Sequence, residues 1–256
     1  MTRTLRAEWT KWRTLRANPW LLFGALAGTI ALGVTVAWAL PLPTCGPAAT
    51  CREDTVRLAL SGVYLGQIAV ILLATLAVTN EYATRMVQTT LAASPKRLAV
   101  YTARATVVTV LTLVAGAIGV LGALALSRPV LVGHGFPPLS LADGPTVRAA
   151  VGTTLYFGLL ALFCVGVGTA VRHTPAALGV MFGALYLVPM LAQFLTNQVW
   201  QRWVIKLAPM TAGLAIQATE RLHSMPIGPW PGLGVFALYA VGAFVLGAVL
   251  FAVRDA

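Results

Sequence analysis

Six long apolar stretches constrain the fold of this 256-residue chain more than any other feature. A helix needs roughly 20 apolar residues to cross about 30 Å of hydrocarbon. Because these stretches are apolar on all sides, they differ from membrane β-barrel strands, which alternate between lipid and lumen. The sequence therefore predicts an all-α integral membrane protein with six transmembrane helices. Their approximate bounds are residues 20–40, 56–79, 100–126, 147–171, 176–195 and 230–253.

The composition excludes a water-soluble domain. Only 10% of the residues are charged and 58% are hydrophobic, whereas a globular protein typically has about 25% charged residues to cover its surface. The net charge of +11 indicates membrane topology and contact with anionic lipid. A nucleic-acid partner is not expected, since no basic patch is interleaved with aromatic residues on a soluble domain.

The distribution of Lys and Arg predicts the orientation of the chain. The cytoplasmic sides of membrane proteins carry an excess of these residues. The segment before the first apolar stretch is rich in them, so we expect a multi-pass protein of the plasma membrane with both termini in the cytoplasm. The residues in that segment are Arg3, Arg6, Lys11, Arg13 and Arg16.

Residues 1–18 have the pattern of an amphipathic helix that lies on the membrane. At about 100° per residue, Leu5, Trp9, Trp12 and Leu15 share one stripe, with basic residues opposite or at the flanks. Tryptophan favours the headgroup layer. We therefore expect Trp9 and Trp12 to lie at the inner membrane interface, and a six-span domain to occupy residues 19–256.

Glu8 does not fit this simple amphipathic pattern, because it falls among the apolar residues of the stripe. One explanation is an ion pair, either with Lys11 one turn further along the helix or with a basic residue from another segment. The other is that Glu8 faces a partner protein. Both explanations are compatible with the sequence.

A polar insert at residues 80–95 separates the second and third apolar stretches. Neither Pro nor Gly interrupts residues 81–93, Glu81 and Arg85 have the spacing of an i to i+4 ion pair, and Ser94-Pro95 ends the segment. A turn between two spans needs only a few residues. The insert is therefore predicted to be a short cytoplasmic helix and turn that docks on another protein, an interfacial filler being the alternative.

Residues 196–229 are too long for a turn and too interrupted for a transmembrane helix. Lys206, Pro209 and Gly213 break the apolar run within them. We expect re-entrant or interfacial short helices on the outer side, with Trp200 and Trp203 at the outer headgroup level.

The cysteines allow two states. Cys45 and Cys51 lie in the first outer loop, and both a disulfide and two free thiols are compatible with their spacing. Cys164 falls inside the fourth apolar stretch, where a buried packing role is expected. No His or second Cys pair accompanies the loop cysteines at metal-ligand spacing.

Taken together, these elements resemble the membrane subunits of ABC-2 type exporters, in particular the small six-span permeases of high-GC bacteria. The resemblance covers nearly the whole chain, and its most specific part is the polar insert. The stretches that carry it are EWTKWRTLR at 8–16, EYAT at 81–84 with TTLAASPKR at 89–97, LAP at 207–209 and RDA at 254–256.

The resemblance implies an ABC-2 (type V exporter-like) transmembrane fold. It implies that residues 1–18 form a connecting helix and that the polar insert is a coupling helix that docks on a separate P-loop ATPase dimer. A second permease copy or paralogue would complete the transporter, and the substrate would be a hydrophobic or amphipathic drug, antibiotic or lipid that is expelled from the cell. The residues assigned to ATPase coupling are Glu81, Tyr82, Arg85, Met86, Gln88, Thr89, Leu91, Glu8 and Lys11.

The chain itself is not expected to be an enzyme. It lacks the Gly-x-x-x-x-Gly-Lys-Ser/Thr motif of a P-loop, so ATP and Mg²⁺ are expected in the partner and no cofactor in this chain. His134, His173 and His223 lie in predicted loops without a His-Glu-x-x-His pattern. No catalytic residue and no metal site are therefore predicted.

An ion-coupled secondary transporter is the alternative. Such proteins usually carry ionisable groups at the middle of the membrane, yet all seven acidic residues are predicted to lie outside the interiors of the spans. Coupling to sodium through hydroxyl and carbonyl groups remains open, with Gln67, Thr75 and Gln193 as polar candidates within spans. A neighbouring gene for a P-loop ATPase would favour the exporter.

Overall fold

A computed structural model describes residues 17–39, 54–84, 97–134 and 143–254, together with residues 7, 9, 10, 136, 139 and 140. Within these residues all regular secondary structure is helical. The helices are α1 Ala17–Ala39, α2 Thr55–Ala83, α3 Arg97–Gly133, α4 Gly144–Val171, α5 Thr174–Ala192, α6 Gln198–Leu207, α7 Pro209–Leu214 and α8 Pro229–Arg254.

Six of these helices, α1 to α5 and α8, are long and apolar enough to cross a membrane. This confirms the predicted all-α class and the six predicted spans of a multi-pass membrane protein. The interval 196–229 holds the short helices α6 and α7, followed by the 3-10 turns Ala215–Gln217 and Leu222–Ser224. Their re-entrant or interfacial placement stays a prediction.

The largest difference from the predicted bounds concerns α3. This helix begins at Arg97 rather than at Val100, and it ends at Gly133 rather than at Leu126. The sequence suggested an earlier end because the residues that follow the apolar run, 127–145, are rich in Pro and Gly. The helix continues through Pro129 although proline cannot donate a backbone hydrogen bond.

Helix α4 forms the centre of the bundle, with α2, α3 and α8 packed around it. Tyr156 and Phe157 of α4 and Phe236 of α8 are among the largest fully buried side chains. The rings of Tyr156 and Phe236 stack with their centroids 4.8 Å apart. Helices α1, α5 and α8 are much less buried within the chain, so their apolar outer faces are left for lipid or another subunit.

Two helix contacts require glycine because backbone meets backbone. A Cβ atom on Gly62 of α2 would lie 1.7 Å from the carbonyl oxygen of Thr29 in α1. A Cβ atom on Gly166 of α4 would lie 2.4 Å from the carbonyl carbon of Ala243 in α8. Small residues allow this close approach between membrane helices, so both glycines serve packing within one chain.

The bundle has two ends, which we name after one acidic residue at each. The Glu81 end contains the end of α2, the start of α3, the connection from α4 to α5 and the end of α8. The Asp54 end contains the starts of α2, α4 and α8, the end of α3, and helices α6 and α7. The charged side chains that the structure describes lie at these two ends.

Candidate functional site

A buried ion pair joins α2 to α3 at the Glu81 end. Glu81 lies in the last turn of α2, and its carboxylate accepts a hydrogen bond from the guanidinium of Arg104 in α3. The two residues are only 5% and 6% exposed. Charges removed from water need a partner to offset their desolvation. Because residues 85–96 connect the two helices, the pair fastens the chain on both sides of that segment.

Arg172 makes the second link at this end. Its guanidinium carbon lies 5.2 Å from the centre of the Tyr82 ring, which is within the range of a cation–π contact. One guanidinium nitrogen also donates a 3.3 Å hydrogen bond to the carbonyl oxygen of Leu250 in α8. Arg172 therefore connects the end of α2 to the end of α8.

The backbone of Arg172 explains the sharp turn between α4 and α5. Its φ of 64° lies in the left-handed region, which residues other than glycine rarely adopt. There its N–H donates to the carbonyl oxygen of Gly168 and closes α4. Helix α5 begins at Thr174, with a proline in its first turn. The two-residue connection between α4 and α5, Arg172 and His173, thus holds the Arg172 side chain against α2.

Two further hydrogen bonds tie the helices together nearby. The hydroxyl of Thr174 in α5 donates to the hydroxyl of Thr79 in α2 at 2.8 Å. The hydroxyl of Tyr101 in α3 donates to the carbonyl oxygen of Phe244 in α8 at 2.9 Å, and the two rings stack. We call the interacting side chains the Glu81 cluster, comprising Thr79, Glu81, Tyr82, Tyr101, Arg104, Arg172 and Thr174.

The contacts of the Glu81 cluster that the structure describes link transmembrane helices to one another. The cluster contains no nucleophile with an adjacent base, and within the described ranges no group of three His, Cys, Asp or Glu side chains could hold a metal ion. Its contacts join α2, α3, α5 and α8 at one end of the bundle. A displacement of either helix that flanks residues 85–96 would therefore reach the others.

The structure brings together two of the residues predicted to couple to an ATPase. Glu81 and Tyr82 both belong to the Glu81 cluster, with Glu81 buried and Tyr82 half-buried. Helix α2 continues through Ala83, beyond the predicted end at Thr79, so Glu81 lies in the last turn of a span rather than in its interior. Arg104 compensates its buried charge. The other coupling candidates lie outside the described residues, namely Arg85, Met86, Gln88, Thr89, Leu91, Glu8 and Lys11.

The aromatic residues predicted for the membrane interfaces are exposed where the structure describes them. Trp9 is helical and exposed, and Trp200 and Trp203 are exposed on α6, a helix that buries none of its residues. Trp12 lies outside the described residues. Exposed tryptophan is compatible with a headgroup position, which stays a prediction for these residues.

The predicted cysteine pair, Cys45 and Cys51, lies outside the described residues, so the disulfide stays a prediction. Cys164 is free and buried in α4. Its sulfur lies 3.8 Å from the sulfur of Met181 in α5. It is a packing residue, as its position in the apolar stretch predicted.

At the opposite end, Asp54 ties the loop after α7 to the start of α2. Its carboxylate caps α2 by accepting a hydrogen bond from the N–H of Arg57. It also accepts from the N–H and hydroxyl of Thr219, at 2.6 and 2.7 Å, and from the N–H of Glu220 at 3.1 Å. Arg148 of α4 donates to the carbonyl oxygen of Ala218 at 2.6 Å. Two charged side chains thus hold one loop through its backbone.

The polar candidates within the spans do not converge on a common site. The side-chain oxygen of Gln67 accepts from the hydroxyl of Tyr156 at 2.7 Å, and its nitrogen lies 3.2 Å from the sulfur of Met210. Thr75 is buried two turns further along α2, and Gln193 is exposed beyond the end of α5. Gln67 is occupied by packing contacts between helices, as is common in membranes.

Sequence reasoning missed the roles of Arg104, Arg172 and Asp54. One signal was present for Arg104, because an arginine within an otherwise apolar stretch needs a buried partner, and Glu81 is an acid at the matching end of the preceding span. No comparable signal pointed to Arg172 or Asp54, whose partners lie 78 and 165 residues away in sequence.

No model of a known protein family matches the chain, and no curated protein matches it significantly. What the molecule does is therefore inferred from its residues and their geometry.

Proposed function

We propose that this chain is the membrane subunit of an ATP-driven exporter of the ABC-2 type. It moves a hydrophobic or amphipathic substrate out of the cell and uses a separate P-loop ATPase dimer, which binds ATP and Mg²⁺. The observation that carries the proposal is the Glu81 cluster, which joins four transmembrane helices beside residues 85–96. That segment also contains the most specific part of the sequence resemblance to these permeases.

The cluster supports a definite route for the movement. ATP binding closes the ATPase dimer, and residues 81–93 and the amino-terminal helix receive the displacement. The Glu81–Arg104 pair passes it to α2 and α3, and Arg172 passes it to α8. A buried ion pair suits this role because its separation in a water-excluded site costs more than at a surface.

The proposed arrangement places the Glu81 end and both termini in the cytoplasm. The Asp54 end, with α6 and α7, then faces outwards, and Trp200 and Trp203 lie at the outer headgroup layer. A second permease, identical or paralogous, completes the pathway together with the outer faces of α1, α5 and α8, which the chain leaves exposed. Efflux of drugs or antibiotics, with resistance as its consequence, fits such a pathway.

The ion-coupled alternative gains little from the described residues. Gln67, Thr75 and Gln193 do not converge, and Gln67 already bonds to Tyr156. Glu81 is a buried acid within a helix, but it lies in the last turn and is paired with Arg104. A group that binds and releases a coupling ion must change its partners during transport. Among the contacts that the structure describes, none favours this alternative over the exporter.

The test is gentle purification of the tagged full chain from its native membrane, followed by identification of stoichiometric partners and an assay of ATP hydrolysis. Co-purification of a P-loop ATPase whose hydrolysis responds to candidate substrates is the expected result. A homomer without any ATPase, purified under conditions that preserve a known transporter complex, would contradict the proposal and favour the ion-coupled alternative.

A further inference from the structure

Helix α6 separates two depressions on the surface of the Asp54 end. An apolar groove of about 400 Å³ lies between α5, α6 and α8. A second depression of about 370 Å³ lies on the other side of Trp203, where the charged residues of α6 are found. The groove is lined by, among others, Ala184, Val188, Trp200, Trp203, Leu207 and Tyr239, and the second depression by Arg202, Trp203, Lys206 and Pro226.

The second depression carries two cations without an acidic partner. The ammonium nitrogen of Lys206 lies 5.1 Å from the centre of the Trp203 ring, and Arg202 is exposed one residue before that tryptophan. In the part of the chain that the structure describes, neither forms an ion pair. Two neighbouring cations favour an anion, and guanidinium and ammonium groups are the usual ligands of a phosphate.

Trp203 lines both the groove and the second depression, so the two cations border the groove at this residue, and the groove reaches Ala184 of α5 and Tyr239 of α8. At 1.5 Å per residue, Ala184 lies about 12 Å from the end of α5, and Tyr239 lies about 15 Å from the start of α8. One leaflet contributes about 15 Å of hydrocarbon. The reach of the groove therefore matches the depth of one leaflet, with the two cations beside Trp203 and apolar side chains between Trp203 and the far end.

We propose that this surface binds an anionic phospholipid from the leaflet at the Asp54 end. The phosphate lies between Arg202 and Lys206, and one acyl chain occupies the groove between α5 and α8. Charge complementarity selects the headgroup, and the apolar lining together with its depth selects the chain. The site goes beyond the proposed exporter function, because it requires neither an ATPase nor transport.

The first experiment compares lipid binding by the full chain. Wild-type protein and the R202Q/K206Q variant are purified in the same detergent and titrated with dioleoyl phosphatidylglycerol or dioleoyl phosphatidylcholine, and bound lipid is counted by native mass spectrometry. Because charge-assisted hydrogen bonds are lost, we expect about tenfold weaker binding of phosphatidylglycerol by the variant and little change for phosphatidylcholine. The matched control is R128Q/R221Q, which removes two cations from the same end outside the site.

The second experiment tests the groove. Val188→Trp fills it, whereas Val180→Trp adds the same bulk to an exposed position of α5 that does not line it. Phosphatidylglycerol brominated in the middle of its chain should quench the fluorescence of Trp200 and Trp203. The part of the quenching that disappears in the W200F/W203F variant belongs to these two tryptophans. We expect the Val188 variant, and not the Val180 variant, to lose phosphatidylglycerol binding.

Three results would overturn the proposal. In the first, R202Q/K206Q binds phosphatidylglycerol as tightly as the wild type or the control does. In the second, free inorganic phosphate displaces the lipid while Val188→Trp has no effect, which identifies an anion site without an acyl chain. In the third, a second copy of the chain covers α6. Crosslinks between two copies through this helix, together with no quenching by brominated phosphatidylglycerol, would show this. None of these results bears on ATPase partnership, so they are distinguishable from failure of the exporter proposal.

Discussion

The two ends of the bundle use their charged side chains in different ways. At the Glu81 end a carboxylate and a guanidinium pair with each other inside the protein and join two transmembrane helices. At the Asp54 end Asp54 and Arg148 bind the backbone of a loop, while Arg202 of α6 stays exposed. Similar residues therefore lock helix to helix at one end and hold connecting segments in place at the other. The first arrangement joins transmembrane helices to each other, and the second leaves the charge of Arg202 exposed.

The largest expected effect comes from separating the buried ion pair. Glu81→Gln should lower the free energy of unfolding by about 3–5 kcal/mol, since it removes the negative charge that faces the buried guanidinium of Arg104. Thermal unfolding of the purified protein measures this loss. Glu220→Gln is the matched control at the Asp54 end, where an exposed acid should contribute within about 0.5 kcal/mol. Equal stability of the two variants would remove the contrast between the ends.

The charge-swapped variant Glu81→Arg/Arg104→Glu sharpens the same comparison. It restores an ion pair between α2 and α3, so it should recover much of the lost stability. If coupling to an ATPase runs through the pair alone, stimulated ATP hydrolysis should recover with stability. Recovery of folding without recovery of coupling would instead assign Glu81 a direct contact with the partner.

The next largest effect is expected from replacing glycines, and its size should differ between the two halves of the bundle. Gly166→Ala places a Cβ against the backbone of α8, whereas Gly152→Ala, in the half near Asp54, places it against the side chain of Ile216. A side chain moves more easily than a backbone, so we expect a loss of about 1–3 kcal/mol for Gly166→Ala and a smaller loss for Gly152→Ala. Gly242→Ala, which meets nothing within 4 Å, controls for helix propensity. Equal losses at Gly152 and Gly166 would contradict this difference.

Removal of the loop anchor at the Asp54 end should have a moderate and local effect. Asp54→Ala should cost about 1–2 kcal/mol, because the cap of α2 and the bonds to Thr219 and Glu220 are lost. Hydrogen exchange should increase in residues 218–224 and not at the Glu81 end. Asp143→Ala is the control, since Asp143 precedes α4 without a side-chain capping bond. Faster exchange in α2 and α3 at the Glu81 end as well would show that the two ends are not stabilised separately.

The smallest expected effect concerns the left-handed residue that closes α4. Arg172→Gly removes the unfavourable φ, and Arg172→Ala retains it, while both lose the contacts with Tyr82 and Leu250. The glycine variant should therefore be more stable than the alanine variant by about 1 kcal/mol. Thermal unfolding of the two variants side by side measures the difference. An alanine variant as stable as the glycine variant would show that the turn relaxes to another conformation.

The number and type of the helices could be predicted from the sequence because crossing a bilayer demands a fixed apolar length. The ends could be predicted less well, as α3 shows by continuing through Pro129. The Glu81–Arg104 pair could have been predicted, since an arginine within an apolar stretch requires a buried acidic partner. The Asp54–Thr219 bonds were not, because they depend on how α7 returns the chain to α2, and local periodicity carries no information about that return.

Helix α3 is long enough to connect the Glu81 end of the bundle directly to the Asp54 end. A helix of 37 residues measures about 55 Å, nearly twice the thickness of the hydrocarbon layer. Arg104 sits in its second turn at one end, and the chain leaves its other end towards the buried Phe136. A tilt of about 5° at the first end would carry the far end through about 5 Å at this length. Because α3 is one continuous helix over this length, a tilt at the Glu81 end would displace the groups at the Asp54 end directly, without an intervening contact between helices.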